Sequence, residues 1–322
     1  MHVGIIGCGL IGQKRADSLP FGYLKAVADV SQERAQKLAT NYPNVLAYSN
    51  WEELIQRNDI DLIIVSTTNN WLGPITLAAI RAGKHVLVEK PAAKNFSELD
   101  SIIDAEKKYH VKVMVGYNLR CHPAFIKAKE IIQSEKLGPL LYIRGRYGHG
   151  GRLGYEKEWR ANPDISGGGE LLDQGVHLID LSRWFLGEFS KVNGYTHTYY
   201  WKMPVEDNGF MYLETMNRQV AWLQVSCTEW KNLFSFEIFC EKGKLQIDGI
   251  GGSYGTERLT LYQMLPQMGP PETTIWEFPF PDNSWRVEFN EFEQAIERDL
   301  PIYPNPTDAR EVLKVVSRIY GI

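Results

Sequence analysis

The sequence has only four cysteines in 322 residues. Cys8, Cys121, Cys227 and Cys240 stand far apart, with no CxxC spacing and no histidine pair beside them. That scatter excludes a zinc ribbon or a disulfide framework; reduced thiols and no metal centre are expected. Charge of one sign is also lacking. With 35 basic and 39 acidic residues the net charge is -4, which offers no footprint for nucleic acid or an anionic membrane. No apolar run approaches the roughly 18 residues that span a bilayer, and no basic stretch precedes the first apolar one. A cytoplasmic protein acting on a small molecule is therefore expected. Internal repeats and low-complexity segments are absent too.

The chain divides into two patterns. Up to about residue 120, short apolar runs (3–6, 24–28, 62–66, 85–88 and 112–116) alternate with amphipathic stretches at 12–19, 32–40, 51–57, 75–82 and 97–109. This is the pattern of a parallel sheet with crossover helices. Between 139 and 280 the strand-like runs (140–147, 191–200, 209–215, 220–229, 234–240 and 259–263) often alternate apolar and polar residues, as antiparallel strands with one covered face do. Helices are expected at 170–186, 285–298 and 307–320. The fold class is an α/β domain over 1–120 followed by an α+β domain over 121–322. The last helix is a candidate to pack back on the first domain.

Gly7-Cys8-Gly9-Leu10-Ile11-Gly12 is a GxGxxG loop between the first strand and the first helix. Glycines mark plain turns as well, but this context is specific. The glycines permit a tight turn, close backbone approach to a pyrophosphate and close helix–strand packing. The N–H groups at Leu10 and Ile11 then face the phosphates from a helix N-terminus. Asp29, seventeen residues after Gly12, ends the second strand. A carboxylate there accepts from ribose hydroxyls and repels a 2′-phosphate, which favours NAD over NADP. No arginine follows it directly, and Arg34 lies about a helical turn on. The plainer reading of Asp29 is a cap for the helix near Ser31.

Two further features carry chemistry. Glu89-Lys90-Pro91 follows the strand at 85–88, so Lys90 stands at the carboxyl end of a parallel strand, where open α/β sheets bind ligands. The proline can support a cis bond that fixes the direction of the lysine. On the helix at 170–186, a periodicity of 100° per residue puts Asp173, His177 and Asp180 on one stripe beside Trp184, with mostly apolar residues around it. Oxidising a secondary alcohol needs a base for the hydroxyl proton, and histidine oriented by a carboxylate supplies one. A surface lysine and a polar helix face packed on loops are the bland alternatives.

Taken together, these segments resemble the glucose–fructose oxidoreductase/inositol dehydrogenase (Gfo/Idh/MocA) family over nearly the whole chain. The carriers are the loop at 7–12, Ser66-Thr67-Thr68-Asn69, the run from Ala82 to Pro91, Gly116 to Arg120, and Gly167-Gly168-Gly169 leading to Asp173-x-Gly175-x-His177. The resemblance implies a Rossmann domain, then a domain with a large open, predominantly antiparallel sheet through which a homodimer or homotetramer forms. It implies that Lys90 lies near nicotinamide and substrate, that His177 is the general acid/base with Asp173, and that Ser66, Thr67, Asn69 and Glu89 belong to the cofactor site. One departure is Leu72, where many members carry histidine.

The loop Gly148-His149-Gly150-Gly151-Arg152-Leu153-Gly154-Tyr155, with Trp159 and Arg160, offers donors and aromatic faces suited to hydroxyls or phosphate. Arg120 and His122 are candidates for the same cleft, and ordinary loop polarity is the alternative for all of them. The expected function is an NAD(P)-dependent dehydrogenase acting on a sugar, sugar derivative or cyclitol. A lyase or glycosidase using transient oxidation by NAD and a non-catalytic NAD-binding sensor are the competing readings.

Overall fold

The computed structural model describes residues 1–250 and 252–322. The chain falls into two compact units, but not at a single cut near residue 120. Residues 164–167 and 285–314 cluster with the first 117, and the remainder forms the second unit.

The first unit runs β1 (Val3–Ile6), α1 (Leu10–Ser18), β2 (Leu24–Ala28), α2 (Gln32–Ala39), β3 (Leu46–Tyr48), α3 (Trp51–Ile55), β4 (Leu62–Val65), α4 (Asn69–Arg81), β5 (His85–Glu89), α5 (Phe96–Tyr109) and β6 (Val113–Gly116). All six strands pair in parallel in the order β3-β2-β1-β4-β5-β6. β1 and β4 are buried along their whole length, as strands covered on both faces must be. The order reverses between β1 and β4, where open sheets of this kind bind ligands at the strand carboxyl ends. Helix starts are set locally. Asn95 accepts from the Glu98 N–H at 3.1 Å and donates to its carboxylate at 2.7 Å, a reciprocal cap on α5. The expectation at 75–82 was too short: α4 begins at Asn69 and passes through Pro74. β3, only three residues long, was not anticipated.

The second unit holds α6 (Pro123–Gln133) and β7 (Leu140–Gly148). After the short α7 (Pro163–Ser166), which falls almost wholly in the first unit, come a π-helical turn (Leu171–Gly175) and α8 (Val176–Leu186). Seven strands follow: β8 (Phe189–His197), β9 (Asn208–Thr215), β10 (Val220–Ser226), β11 (Leu233–Cys240), β12 (Gly243–Asp248), β13 (Glu257–Gln263) and β14 (Glu272–Phe278). They make an eight-stranded sheet ordered β14-β13-β12-β11-β7-β10-β9-β8, antiparallel except for β7 beside β10. β12 and β14 were not anticipated. α8 packs on β7 and β10, so closely at Gly145 that a Cβ there would lie 3.0 Å from Leu223 and 3.4 Å from Leu178. The opposite face leaves Tyr142, Trp222 and Ile275 exposed among charged neighbours, with Glu237 bridging Arg144 and Lys244.

Two last helices, α9 (Ser284–Glu297) and α10 (Pro306–Tyr320), complete the chain. α9 lies in the first unit's core, not the second's. Its Phe289, Phe292 and Ala295 join Val3, Leu24, Leu62 and Leu87 in one buried cluster. Burying each phenylalanine is worth about 1.5–3 kcal/mol, which explains why a segment so late in the chain returns to the first sheet. α10 is divided, with residues up to 314 in the first unit and the rest in the second. Among the described residues no helix is long and apolar enough to cross a membrane.

Near that core lies a buried ionic cluster. Arg15 of α1, fully buried, donates from Nε to Glu89 at 2.7 Å and from Nη1 to Glu288 of α9, while the Trp285 ring covers its guanidinium at 4.5 Å. Burial pushes the Glu288 carboxyl up to about 7; the positive Arg15 opposes this and Glu89 adds to it. In the unfolded chain that carboxyl titrates at roughly 4.3. The folded state therefore holds a proton that the unfolded state has released, and stability falls as pH rises from about 4.5 to 7. Glu288→Gln should flatten this fall. In thermal melts from pH 5 to 8 the variant's Tm should gain on that of the wild type by roughly 2–6 °C, and parallel curves would refute the assignment.

Candidate active site

The nucleotide end is built by three glycines with different constraints. Gly7 has φ +98°, and a Cβ there would lie 2.5 Å from the Ser66 carbonyl. At Gly12 a Cβ would overlap the Gly7 carbonyl, so α1 rests directly on its own loop. A Cβ at Gly9, by contrast, would meet nothing within 4 Å. Gly9 is also the N-cap of α1, with no side-chain cap and no acidic residue in the first turn. The positive end of the helix is thus left for an anion, as a dinucleotide pyrophosphate requires. Asp29 follows β2; its Oδ2 accepts from the Cys8 N–H at 2.8 Å and its Oδ1 from the Ser31 N–H at 2.9 Å. The carboxylate stays partly exposed, with lone pairs left for ribose hydroxyls. These residues fit NAD.

Ser66 donates to the Gly7 carbonyl at 2.8 Å and braces the loop. Thr67 is partly exposed beside it, and the buried Asn69 donates to the Ser166 carbonyl at 2.8 Å. Leu72 is fully buried in α4. Lys90 is partly exposed at the end of β5, and its peptide bond to Pro91 is cis. Glu89 is buried, and its carboxylate is held by Arg15.

The glycine run before the candidate helix has a mechanical cause. Gly167 has φ +82°; a Cβ at Gly168 would collide with the Tyr320 hydroxyl, and one at Gly169 with the Glu206 carbonyl. The Glu206 carboxylate accepts from the N–H groups of Gly169 (3.1 Å) and Leu171 (3.0 Å) and from the Tyr320 hydroxyl (2.6 Å). The N-terminus that carries Asp173 is therefore clamped by a side chain from the loop before β9. Burial raises the Glu206 carboxyl above its ordinary range, against those hydrogen bonds.

Asp173 lies within the π-helical turn and His177 in the first turn of α8. A register of i→i+5 in place of i→i+4 breaks the 100° spacing used to align them, and such turns cluster at functional sites. Arg160 donates to Asp173 at 3.0 Å and lies 4.6 Å over the Trp159 ring, and so orients this carboxylate. His177 is buried, its ring 6.1 Å from that of Tyr147, which packs edge-on against Tyr254 at 5.3 Å. Burial first, then neighbouring Tyr254, Asp173 and Glu170, push the Tyr147 phenol well above its usual range. Tyr155 is raised chiefly by burial, then by Glu170 and Asp173. Both phenols are held as donors, not bases.

The other sequence candidates divide. Asp180 forms a buried, two-pronged pair with Arg120 (2.8 and 2.6 Å). His122 is buried against Glu257 at 2.8 Å. His149 accepts from the Gly151 N–H at 3.0 Å through Nδ1 and faces Glu170 at 3.4 Å through Nε2, so both nitrogens are engaged. Arg152 is exposed and paired with Glu158, while Tyr155 is buried against Trp201. Tyr147, Tyr254, Glu170 and Glu206 escaped the sequence reading; only the GGG run hinted at the last of these.

Comparison with known proteins agrees with this architecture. Residues 1–117 match the model of an oxidoreductase family with an NAD-binding Rossmann fold, and residues 125–246 match that of the GFO/IDH/MocA C-terminal domain. A levoglucosan dehydrogenase of Pseudarthrobacter phenanthrenivorans is 31% identical over 224 residues, covering 65% of this chain and 57% of the relative. A myo-inositol 2-dehydrogenase of Thermotoga maritima is 31% identical over 193 residues, covering 58% and 55%. The chain thus spans a little over half the length of these curated relatives. Among solved structures, levoglucosan dehydrogenase in complex with NADH and L-sorbose superposes with a TM-score of 0.87 at 24% identity, covering 100% of this chain and 96% of the other. An aldose–aldose oxidoreductase from Caulobacter crescentus complexed with glycerol gives 0.86 at 25%, with the same coverage. Two domain models of one family, matched in order onto a Rossmann sheet and an open eight-stranded sheet, show that this chain belongs to the Gfo/Idh/MocA oxidoreductase family.

Proposed function

We propose that this protein is an NAD-dependent dehydrogenase that moves a hydride between nicotinamide and a secondary hydroxyl or ketone of a sugar, sugar derivative or cyclitol. The observation that carries the reading is the buried His177 one turn beyond Asp173, a carboxylate held by Arg160, in a chain whose other unit has an uncapped glycine-loop helix. The names of the levoglucosan and inositol dehydrogenase relatives support the substrate class.

Gly7, Gly9, Gly12 and the N–H groups at Leu10 and Ile11 would hold the pyrophosphate, Asp29 the adenosine ribose, and Ser66, Thr67, Asn69 and Lys90 the nicotinamide half. When bound, the nicotinamide supplies the hydride acceptor or donor. His177 takes the proton of the reacting hydroxyl as its carbon gives up hydride, and returns it in the reverse direction. Asp173 supports the imidazolium so formed. Lys90 offers a positive charge to the oxygen as it acquires alkoxide character. Tyr155, Trp159, Arg160 and Arg152 offer hydrogen bonds and aromatic faces to the remaining hydroxyls, and the phenols of Tyr147 and Tyr254 add donors. The exposed sheet face, with Trp222 58% exposed, is read as the surface through which a homodimer or homotetramer forms.

Four outcomes test this. With NAD and a panel of sugars and cyclitols, absorbance of reduced nicotinamide should rise. His177→Ala should lower kcat by about 10²–10⁴-fold while NADH affinity stays within about threefold. An inert wild type would sink the activity, and an active variant would sink the base. Asp29→Asn keeps an acceptor but loses the charge, so the ratio of NAD to NADP affinity should fall about tenfold by fluorescence titration; an unchanged ratio rejects its selecting role. Trp222→Glu should shift sedimentation toward the monomer, and an unaltered profile would place the interface elsewhere.

A further inference from the structure

No step above uses the ionic cluster around Arg15, yet it touches the residue before Lys90. Arg15 enters from α1, the helix whose N-terminus carries the glycine loop. Glu89, its partner, is the last residue of β5, and the Glu89 carbonyl also accepts from the Ala92 N–H at 2.9 Å. The side chain and the main chain of this residue are thus both held, and Lys90 lies within the turn that the second bond closes. β6 closes in from the side: a Cβ at Gly116 would lie 2.6 Å from Arg15 Nη2 and 3.1 Å from Glu89. Glu288 supplies the second carboxylate from α9.

We propose that Arg15 is a positioning residue for Lys90, tying the end of β5 to the glycine-loop helix through Glu89, with Glu288 setting the charge of that tie. The proposal rests on the role assigned to Lys90 above. One guanidinium between two carboxylates leaves one negative charge uncompensated when all three are ionised, and burial makes that state costly. Of the two carboxylates Glu288 is the one that burial pushes up, to about 7. Facing it are Arg15 from α1, Glu89 from β5 and Glu291 on its own helix; the Trp285 ring that covers Arg15 also lies 5.5 Å from the Lys14 ammonium. While Glu288 holds a proton the cluster carries one negative charge fewer; once that proton is lost, Glu288 competes with Glu89 for the same guanidinium. The turn carrying Lys90 thereby experiences a change of charge and of tension in the pH range where cells work.

The test reads Lys90 directly in the full-length protein, with and without NADH. Lysines are reductively methylated with ¹³C, and the Lys90 resonance is identified by its loss in Lys90→Arg. Its chemical shift should show an inflection near pH 7 in the wild type, and Glu288→Gln, nearly isosteric, should abolish that inflection. Arg15→Lys should move the resonance and lower kcat by about tenfold while NADH affinity changes less than about threefold. An inflection that persists in Glu288→Gln, or a wild type without one, overturns the proposal. If no sugar or cyclitol is oxidised but the inflection behaves as stated, the proposed activity fails and the coupling stands.

Discussion

A single guanidinium buried between two carboxylates is the contact on which the first unit depends. Arg15 touches a residue beside the candidate lysine and a helix that returns late in the chain, and it grows from the helix of the glycine loop. Removing one partner from such a cluster leaves a buried charge uncompensated, a penalty of about 3–5 kcal/mol. The alternative is to fill the space with apolar groups, which would stabilise as well or better but would not fix direction. Direction is what a strand end carrying a reactive side chain requires.

The second unit solves a similar problem with different means. There the backbone at Gly168 and Gly169 is pressed against Tyr320 and Glu206, and the Glu206 carboxylate satisfies N–H groups at the helix N-terminus. A carboxylate at that end is also favoured by the helix dipole. Asp173 and His177 then sit on a segment whose start is clamped and whose first turn is π-helical. Residue identity and backbone register together aim the pair.

Local chemistry was legible in the sequence. Gly7, Gly9 and Gly12 announce a strand–turn–helix because each constraint is met within a few residues. Leu62 to Val65 announce a buried parallel strand because nothing in them is polar. The long-range pairings left no such mark. Arg15 lies 74 residues from Glu89 and 273 from Glu288, and nothing near any of them names the others. Arg120 and His149 show the same limit: a donor's type can be read from sequence, but its partners, Asp180 and Glu170, cannot. The π-turn was invisible because a change of hydrogen-bond register alters no composition. α9 showed an apolar face, but which core would receive it is decided only by the packed volume left beside the first sheet.

Asp29 binds the amide of Cys8 inside the glycine loop with the same carboxylate proposed above to read the ribose. Loop shape and nucleotide choice therefore share one side chain. A lineage, or an engineer, that exchanges this acid for a small or basic residue to admit a 2′-phosphate also releases the loop that grips the pyrophosphate. Unless the replacement keeps an acceptor for that amide, as asparagine does, a change of charge at this position calls for a second change that re-anchors Cys8.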